Sequence, residues 1–192
     1  MATQTGENGN IGKILTSLAR EAVEIYIKDG KTITVSDKNP IFKRKVGVFV
    51  TIRKRDQLRG CIGYTEPPWP LSQTLVRAAI ASATEDPRFR QVSSKELADL
   101  EYEVTILSEP VEIHPNEGKD MQRIQIGKNG LMIEAYGMRG LLLPQVAVEE
   151  GLNASEFLDA TCEKAGLSPG CWKSSNAKVF LFEGTVYNEI KE

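Results

Sequence analysis

Residues 46–63 constrain this fold more than any other stretch. Val46, Val48, Val50 and Ile52 alternate with other residues at a period of two, which places all four on one face of a strand. A polar link, Lys54–Gln57, then leads into Leu58-Arg-Gly-Cys-Ile-Gly63. Two extended runs joined by so short a link predict an antiparallel hairpin with one buried face. On the return strand Leu58, Gly60 and Ile62 share one face, and Arg59, Cys61 and Gly63 the other. Arg59 and Cys61 are therefore expected to point the same way, and a guanidinium beside a thiol favours the thiolate. Gly60 and Gly63 flank Cys61, and that pattern predicts backbone open to close approach by a ligand or another chain. The competing reading makes Cys61 a small buried hydrophobe and pairs Arg59 with a nearby carboxylate.

The rest of the chain supplies helices and further strands. A Gly/Asn-rich stretch, 1–10, reads as a disordered tail, followed by an amphipathic helix over Ile11–Lys28 that stops at Gly30. Gly12-Lys13 does not make a phosphate loop, because Glu7 and Ile14 stand where glycine and Ser or Thr are needed. The three prolines of 65–70 predict a stiff loop beside Cys61, with Trp69 either exposed for contact or tucked into the core. Leu71–Ala83 follows as a helix ended by Asp86-Pro87. Arg88 and Phe89 then sit on the exit turn, where Arg88 either presents a cation or bonds Asp86. Ser93 with Glu96 predicts a capping box for a short helix through Leu100. Tyr102–Leu107 alternates as a strand, which makes Glu103 a sheet carboxylate and a candidate partner of Arg59.

Further on, 124–126 and 131–135 flank Asn129-Gly130, a tight-hairpin signal, and Gly137–Gly140 reads as another turn. Leu141–Leu143 is expected to be a fully buried strand from which Pro144 forces an exit, leaving Gln145 as an amide at a strand end. Asn153 with Glu156 predicts a second capping box, on a helix to Ala165 that stops at Gly166. Cys162 then falls on its core stripe, Cys171-Trp172 lies in a loop, and Lys178–Tyr187 is the last strand. Glu183 is an acidic oddity among apolar neighbours there.

Charge and cysteine content narrow the function classes. With 24 Lys plus Arg against 26 Asp plus Glu, the net charge of -2 argues against a phosphate-backbone binder. The basic cluster of residues 43–45 and 53–55 reads as a solvated face. Three cysteines in no regular spacing fit reduced thiols in a cytoplasm, and no apolar run approaches membrane-spanning length. The single histidine, His114, has no companions at metal-ligand spacing.

Four motifs together resemble the AMMECR domain family: Leu-Arg-Gly-Cys-Ile-Gly at 58–63, Asp86-Pro-Arg-Phe89, Leu142-Leu-Pro-Gln-Val-Ala147, and Phe157-Leu with Cys162-Glu-Lys-Ala-Gly-Leu167. The resemblance spans nearly the whole chain and is to the stand-alone archaeal and bacterial members. It implies an α+β fold, mainly antiparallel sheet flanked by helices, over 11–192. Two lobes are implied, the larger built from both chain ends and the smaller from an inserted segment, with motif residues around a cleft between them. By matching positions it implies Arg59, Cys61, Asp86, Arg88, Glu103 and Gln145 as site residues. Tyr64 stands where many relatives have a smaller side chain.

The resemblance leaves the cofactor unknown, and it points to a pathway shared with Memo-type and radical S-adenosylmethionine proteins. Two functions fit these residues. One is a cysteine-dependent enzyme with Cys61 as nucleophile, Arg59 activating it or holding an anionic substrate, and Gln145 or backbone amides polarising the reacting group; its base would be Glu103 or Asp86. The other is a binding or adaptor module that takes a small anion or a protein partner without chemistry.

Overall fold

In the computed structural model, the protein is described over residues 4–35, 39–117 and 120–190. Two compact units emerge, one comprising the chain up to Leu107 together with the residues from Thr185 on, the other Ser108–Gly184.

The first unit opens with helix α1 (Gln4–Asp29). Of the tail expected over 1–10, residues 1–3 lie outside the described residues and 4–10 extend this helix, because each residue added to a nucleated helix gains a hydrogen bond at little further cost. Gly30, at φ 67°, ends it as expected. Strands β1 (Val48–Lys54) and β2 (Gln57–Tyr64) form the antiparallel hairpin. Arg55 and Asp56 close it with φ of 53° and 63°, the left-handed pair whose twist matches that of the flanking strands. Helix α2 (Leu71–Thr84) follows, and then β3 (Leu100–Leu107), which pairs antiparallel with β1. Val48, Val50, Ile52, Tyr102 and Val104 face Leu15, Ala19 and Val23 of α1 and Leu75 and Ala79 of α2 in one core. Alternation then turns Thr51, Cys61 and Glu103 to the opposite face of the sheet.

Ser93 and Glu96 do interact, but the helix they were expected to cap is a single 3-10 turn, Leu97–Asp99, before β3 begins. Trp69 is half-buried rather than free or fully packed. The Arg77 guanidinium lies 4.3 Å over its ring, and Tyr64 meets it edge-on at 5.9 Å.

The second unit contains β4 (Val111–Ile113), β5 (Asn129–Ala135), β6 (Met138–Leu142), α3 (Pro144–Glu149) and α4 (Ala154–Lys164). The first part of β7 (Ala177–Asn188) runs antiparallel between β4 and β5. Ile113, Leu131, Ile133, Phe157, Leu158, Trp172 and Val179 form its core. The expected hairpin around Asn129-Gly130 is displaced: those residues begin β5, and the hairpin turn is Tyr136-Gly137, both at positive φ. Asn129 is diverted because its side-chain oxygen accepts the Gln125 N–H at 2.8 Å and its own N–H donates to the Gln125 carbonyl at 2.9 Å. Gly130 is needed because the Phe182 ring occupies the place of any Cβ. Leu141–Leu143 are half-buried rather than fully buried, since among the described residues of this unit β6 pairs with β5 alone, and Pro144 starts α3.

Asn153 and Glu156 form the expected capping box on α4. Replacing Asn153 with alanine is expected to lower stability by about 1 kcal/mol, read as a shift of the denaturant midpoint.

The thiol reading of the cysteines is corrected here. Cys162 and Cys171 are disulfide-bonded, with Cα atoms 5.9 Å apart, and Cys61 is the free cysteine. The chain reverses through Gly166 and Gly170, both at positive φ. The Asp159 carboxylate then draws the loop onto α4 by accepting the Gly170 N–H at 2.7 Å and the Trp172 indole N–H at 2.8 Å. Loop and helix are thereby brought within bonding distance, a closeness that cysteine count and spacing do not reveal.

Candidate functional site

Cys61 sits on β2, opposite Thr51 of β1, which is in turn opposite Glu103 of β3. Thiol, hydroxyl and carboxylate therefore form one row across the sheet. The Cys61 Sγ lies 3.3 Å from the Thr51 Oγ1, within hydrogen-bonding reach. Strand spacing puts Glu103 two strands, or roughly 10 Å, from Cys61. Among the described residues Glu103 makes no side-chain hydrogen bond or ion pair.

This row depends on an irregularity. The β1–β2 register shifts between Ile52 and Arg53, so that Gly60 faces Ile52, Leu58 faces Arg53 and Arg59 has no opposite residue. An unbulged hairpin closed by Arg55-Asp56 would set Thr51 opposite Gly60 instead. The bulge brings the hydroxyl and thiol together.

The backbone of Cys61 is clamped by the segment after α2. The Asp86 carboxylate, 4 % exposed as a residue, accepts the Cys61 N–H at 2.9 Å. Arg88 donates to the same carboxylate through Nε at 3.0 Å, Nη2 at 2.8 Å and its own N–H at 3.1 Å, and its Nη2 reaches the Cys61 carbonyl at 3.4 Å. The guanidinium, helped by the two backbone donors, holds the Asp86 carboxyl well below the usual carboxylate range despite its burial. In return the carboxylate raises the pKa of Arg88, whose side chain remains 54 % exposed. The Asp86–Arg88 bond expected as one alternative is thus present, and it grips the thiol-bearing strand as well as fixing its turn.

Arg59 plays a different part from that expected beside the thiol. Its guanidinium binds Glu96 through Nε at 3.1 Å and Nη2 at 3.2 Å, and Nη1 donates to the Arg90 carbonyl at 2.8 Å. Its partner is therefore Glu96, not Glu103. Arg59, the Ser93 N–H and Lys54 together hold the Glu96 carboxyl well below its ordinary value. The cation at the Cys61 backbone is Arg88.

Gly60 and Gly63 are packing positions rather than open backbone. A Cβ on Gly60 would collide with the Ser82 carbonyl oxygen of α2, and one on Gly63 with the Phe49 ring. The close approach anticipated from these glycines is made by the chain's own helix and side chain. Gln145 belongs to the second unit, exposed in the first turn of α3. Arg59, Cys61, Asp86, Arg88 and Glu103 share the first unit.

Sequence reasoning missed Thr51, Ser82 and the role of Glu96. Ser82, in α2, accepts the Ile62 N–H at 2.9 Å and lies 2.7 Å from the Val50 carbonyl, tying helix to hairpin. Its only sequence signal is a polar residue on an otherwise apolar helical stripe. No group of three or more His, Cys, Asp and Glu residues that could hold a metal ion occurs among the described residues, and the His114 N–H donates to Asp120.

These features define an α+β protein of antiparallel sheet flanked by helices, with a free thiol on a sheet face and an aspartate–arginine clamp on its backbone. The chain belongs to the AMMECR1 family, whose family model matches residues 16–187. It is 44% identical over 182 residues to Protein Ta0236 of Thermoplasma acidophilum, covering 94% of this chain and 88% of that one. To Protein TV1384 of Thermoplasma volcanium it is 42% identical over 190 residues, covering 98% and 94%. The crystal structure of uncharacterized protein PH0010 from Pyrococcus horikoshii superposes with a TM-score of 0.76 at 41% identity, covering 93% of this chain and 91% of that one.

Proposed function

We propose that the Cys61 strand is a ligand-handling site that receives an anionic group at Arg88. One observation carries this reading: an exposed guanidinium is fixed by a buried carboxylate against the backbone of the free cysteine. Such a group is pre-organised for a planar anion and loses little rotamer freedom on binding it. The ligand is a small anion or an acidic side chain of a protein partner. The family resemblance points to Memo-type or radical S-adenosylmethionine proteins for that role. We place the protein in the cytoplasm, where the Cys61 thiol would stay reduced.

The Thr51 hydroxyl beside Sγ favours a second reading, a cysteine-dependent enzyme with Cys61 as nucleophile. Asp86 already accepts four hydrogen bonds and Glu103 lies two strands away, so in that reading a carboxylate base has to come from the substrate or from a rearranged site.

Alkylation tests both. The native protein is expected to incorporate one equivalent of iodoacetamide, at Cys61, and to expose the other two of its three cysteines only after reduction and unfolding. Phosphate or a short acidic peptide is expected to slow alkylation. Arg88→Gln should remove that protection and Arg59→Gln should keep it; protection that survives Arg88→Gln refutes the proposed role of Arg88. Turnover of a bound ligand lost in Cys61→Ser, with binding retained, would move the assignment to the enzyme.

A further inference from the structure

A second site lies in the first unit, on the outer side of α2. There a cavity of about 490 Å³ is bounded by residues 32–35, Tyr64 and α2 from Ser72 to Ile80, with Glu85 just past the helix end. Its size is within the range of small-molecule sites. Val76 and Ile80, one helical turn apart, make the floor together with Ile33 and Val35, and all four pack on the main core.

Two polar groups at the Ser72 end lack protein partners. Ser72 is 3 % exposed, and its hydroxyl makes no hydrogen bond among the described residues. The buried helical hydroxyls of Thr16, Thr74, Ser82 and Thr161 all lie within hydrogen-bonding distance of the carbonyl four residues back. Ser72 stands in the first turn of α2, where the residue four back, Pro68, precedes the helix. This hydroxyl is instead open to the cavity that Ser72 lines, where it is available to a ligand. Arg77 is the second group. Its Cζ lies over the Trp69 ring, 4.3 Å from the centroid, and among the described residues it has no carboxylate partner or hydrogen bond. The ring contact holds the guanidinium in place and uses none of its N–H donors, which remain available to a carboxylate. Glu85 is eight residues further on, roughly 12 Å by helical rise, so the one acidic lining residue is remote from Arg77.

We propose that this cavity binds an apolar carboxylic acid, its hydrocarbon body on Ile33, Val35, Val76 and Ile80 and its carboxylate shared by Arg77 and Ser72. The site is independent of Cys61. Gln73, one turn before Arg77 on the same ridge, offers a third donor to the acid.

Calorimetric titration with 4-phenylbutyrate and the matched alcohol, 4-phenylbutan-1-ol, tests the assignment on the full chain. The acid is expected to bind at least about tenfold more tightly than the alcohol, since the alcohol keeps the apolar contacts and loses the charged pair. Arg77→Gln should abolish that preference. Both residues are good helix formers and position 77 is exposed, so the variant should melt like the parent. Ser72→Ala should weaken the acid by roughly threefold to tenfold while leaving Arg77 intact. Equal affinity for acid and alcohol, full retention in Arg77→Gln, or no binding of the acid at millimolar concentration would each overturn the proposal.

Discussion

Replacing Asp86 with asparagine is expected to cost the protein about 3 kcal/mol of stability, because one buried carboxylate satisfies four donors that an amide cannot all satisfy. The amide keeps the shape but turns an NH₂ toward Arg88 or toward the Cys61 N–H. The effect depends on pH with a defined sign. The folded-state pKa of Asp86 lies below that of the unfolded chain, as does that of Glu96, so both contribute stability above the unfolded values near 4. That contribution is lost as pH falls from about 4 toward the depressed folded values. Urea titrations at a series of pH values should therefore show the parent losing stability steeply below about pH 4 and Asp86→Asn losing less. Equal slopes in the two proteins would mean that the carboxylate does not carry this linkage. Glu96→Gln should flatten the curve in the same direction, through Arg59 and Lys54 rather than Arg88.

The second large effect is expected from Gly60→Ala, at about 3 kcal/mol or more, measured as the shift in denaturant midpoint. The atom in the way of the added methyl is a backbone carbonyl oxygen of α2, which has no rotamer to change. Nor can α2 retreat, since Ser82 bonds the Ile62 N–H, and its Val76 and Ala79 belong to the same core as Val50 and Ile52. Cys61 alkylation should rise in this variant as the hairpin loosens from the helix. A Gly60→Ala protein as stable as the parent would show that the helix–hairpin contact has slack that the packing does not.

Much of this was legible in the sequence. The period-two run of 46–53, the helix over 71–83 with its Asp-Pro end, the alternating strand at 102–107 and the Asn153–Glu156 box are local patterns, and each fold element formed where its pattern lay. The candidate site was legible in its residue types but not in its pairings. Arg59 and Cys61 lie two apart on one strand, which predicts a shared direction; Arg59 instead sits at the bulge and binds Glu96. Asp86 and Arg88 lie some 25 residues from Cys61, a separation that no local pattern bridges, and it is α2 packing on the hairpin that brings them to it. Asn129-Gly130 failed as a turn because hydrogen bonds to Gln125 and the Phe182 ring outweighed a weak local preference.

The sequence by itself determined which segments would be strand or helix and which faces they would bury, since hydrophobic periodicity and caps act over a few residues. Tertiary structure alone decided the one-residue shift that sets Thr51 against Cys61, the choice of Arg88 over Arg59 at the thiol strand, and the joining of Cys162 to Cys171. Each of these depends on how separate elements pack. A single added residue in a ladder, or a carboxylate on a neighbouring turn, changes every contact at the site and leaves the local pattern untouched.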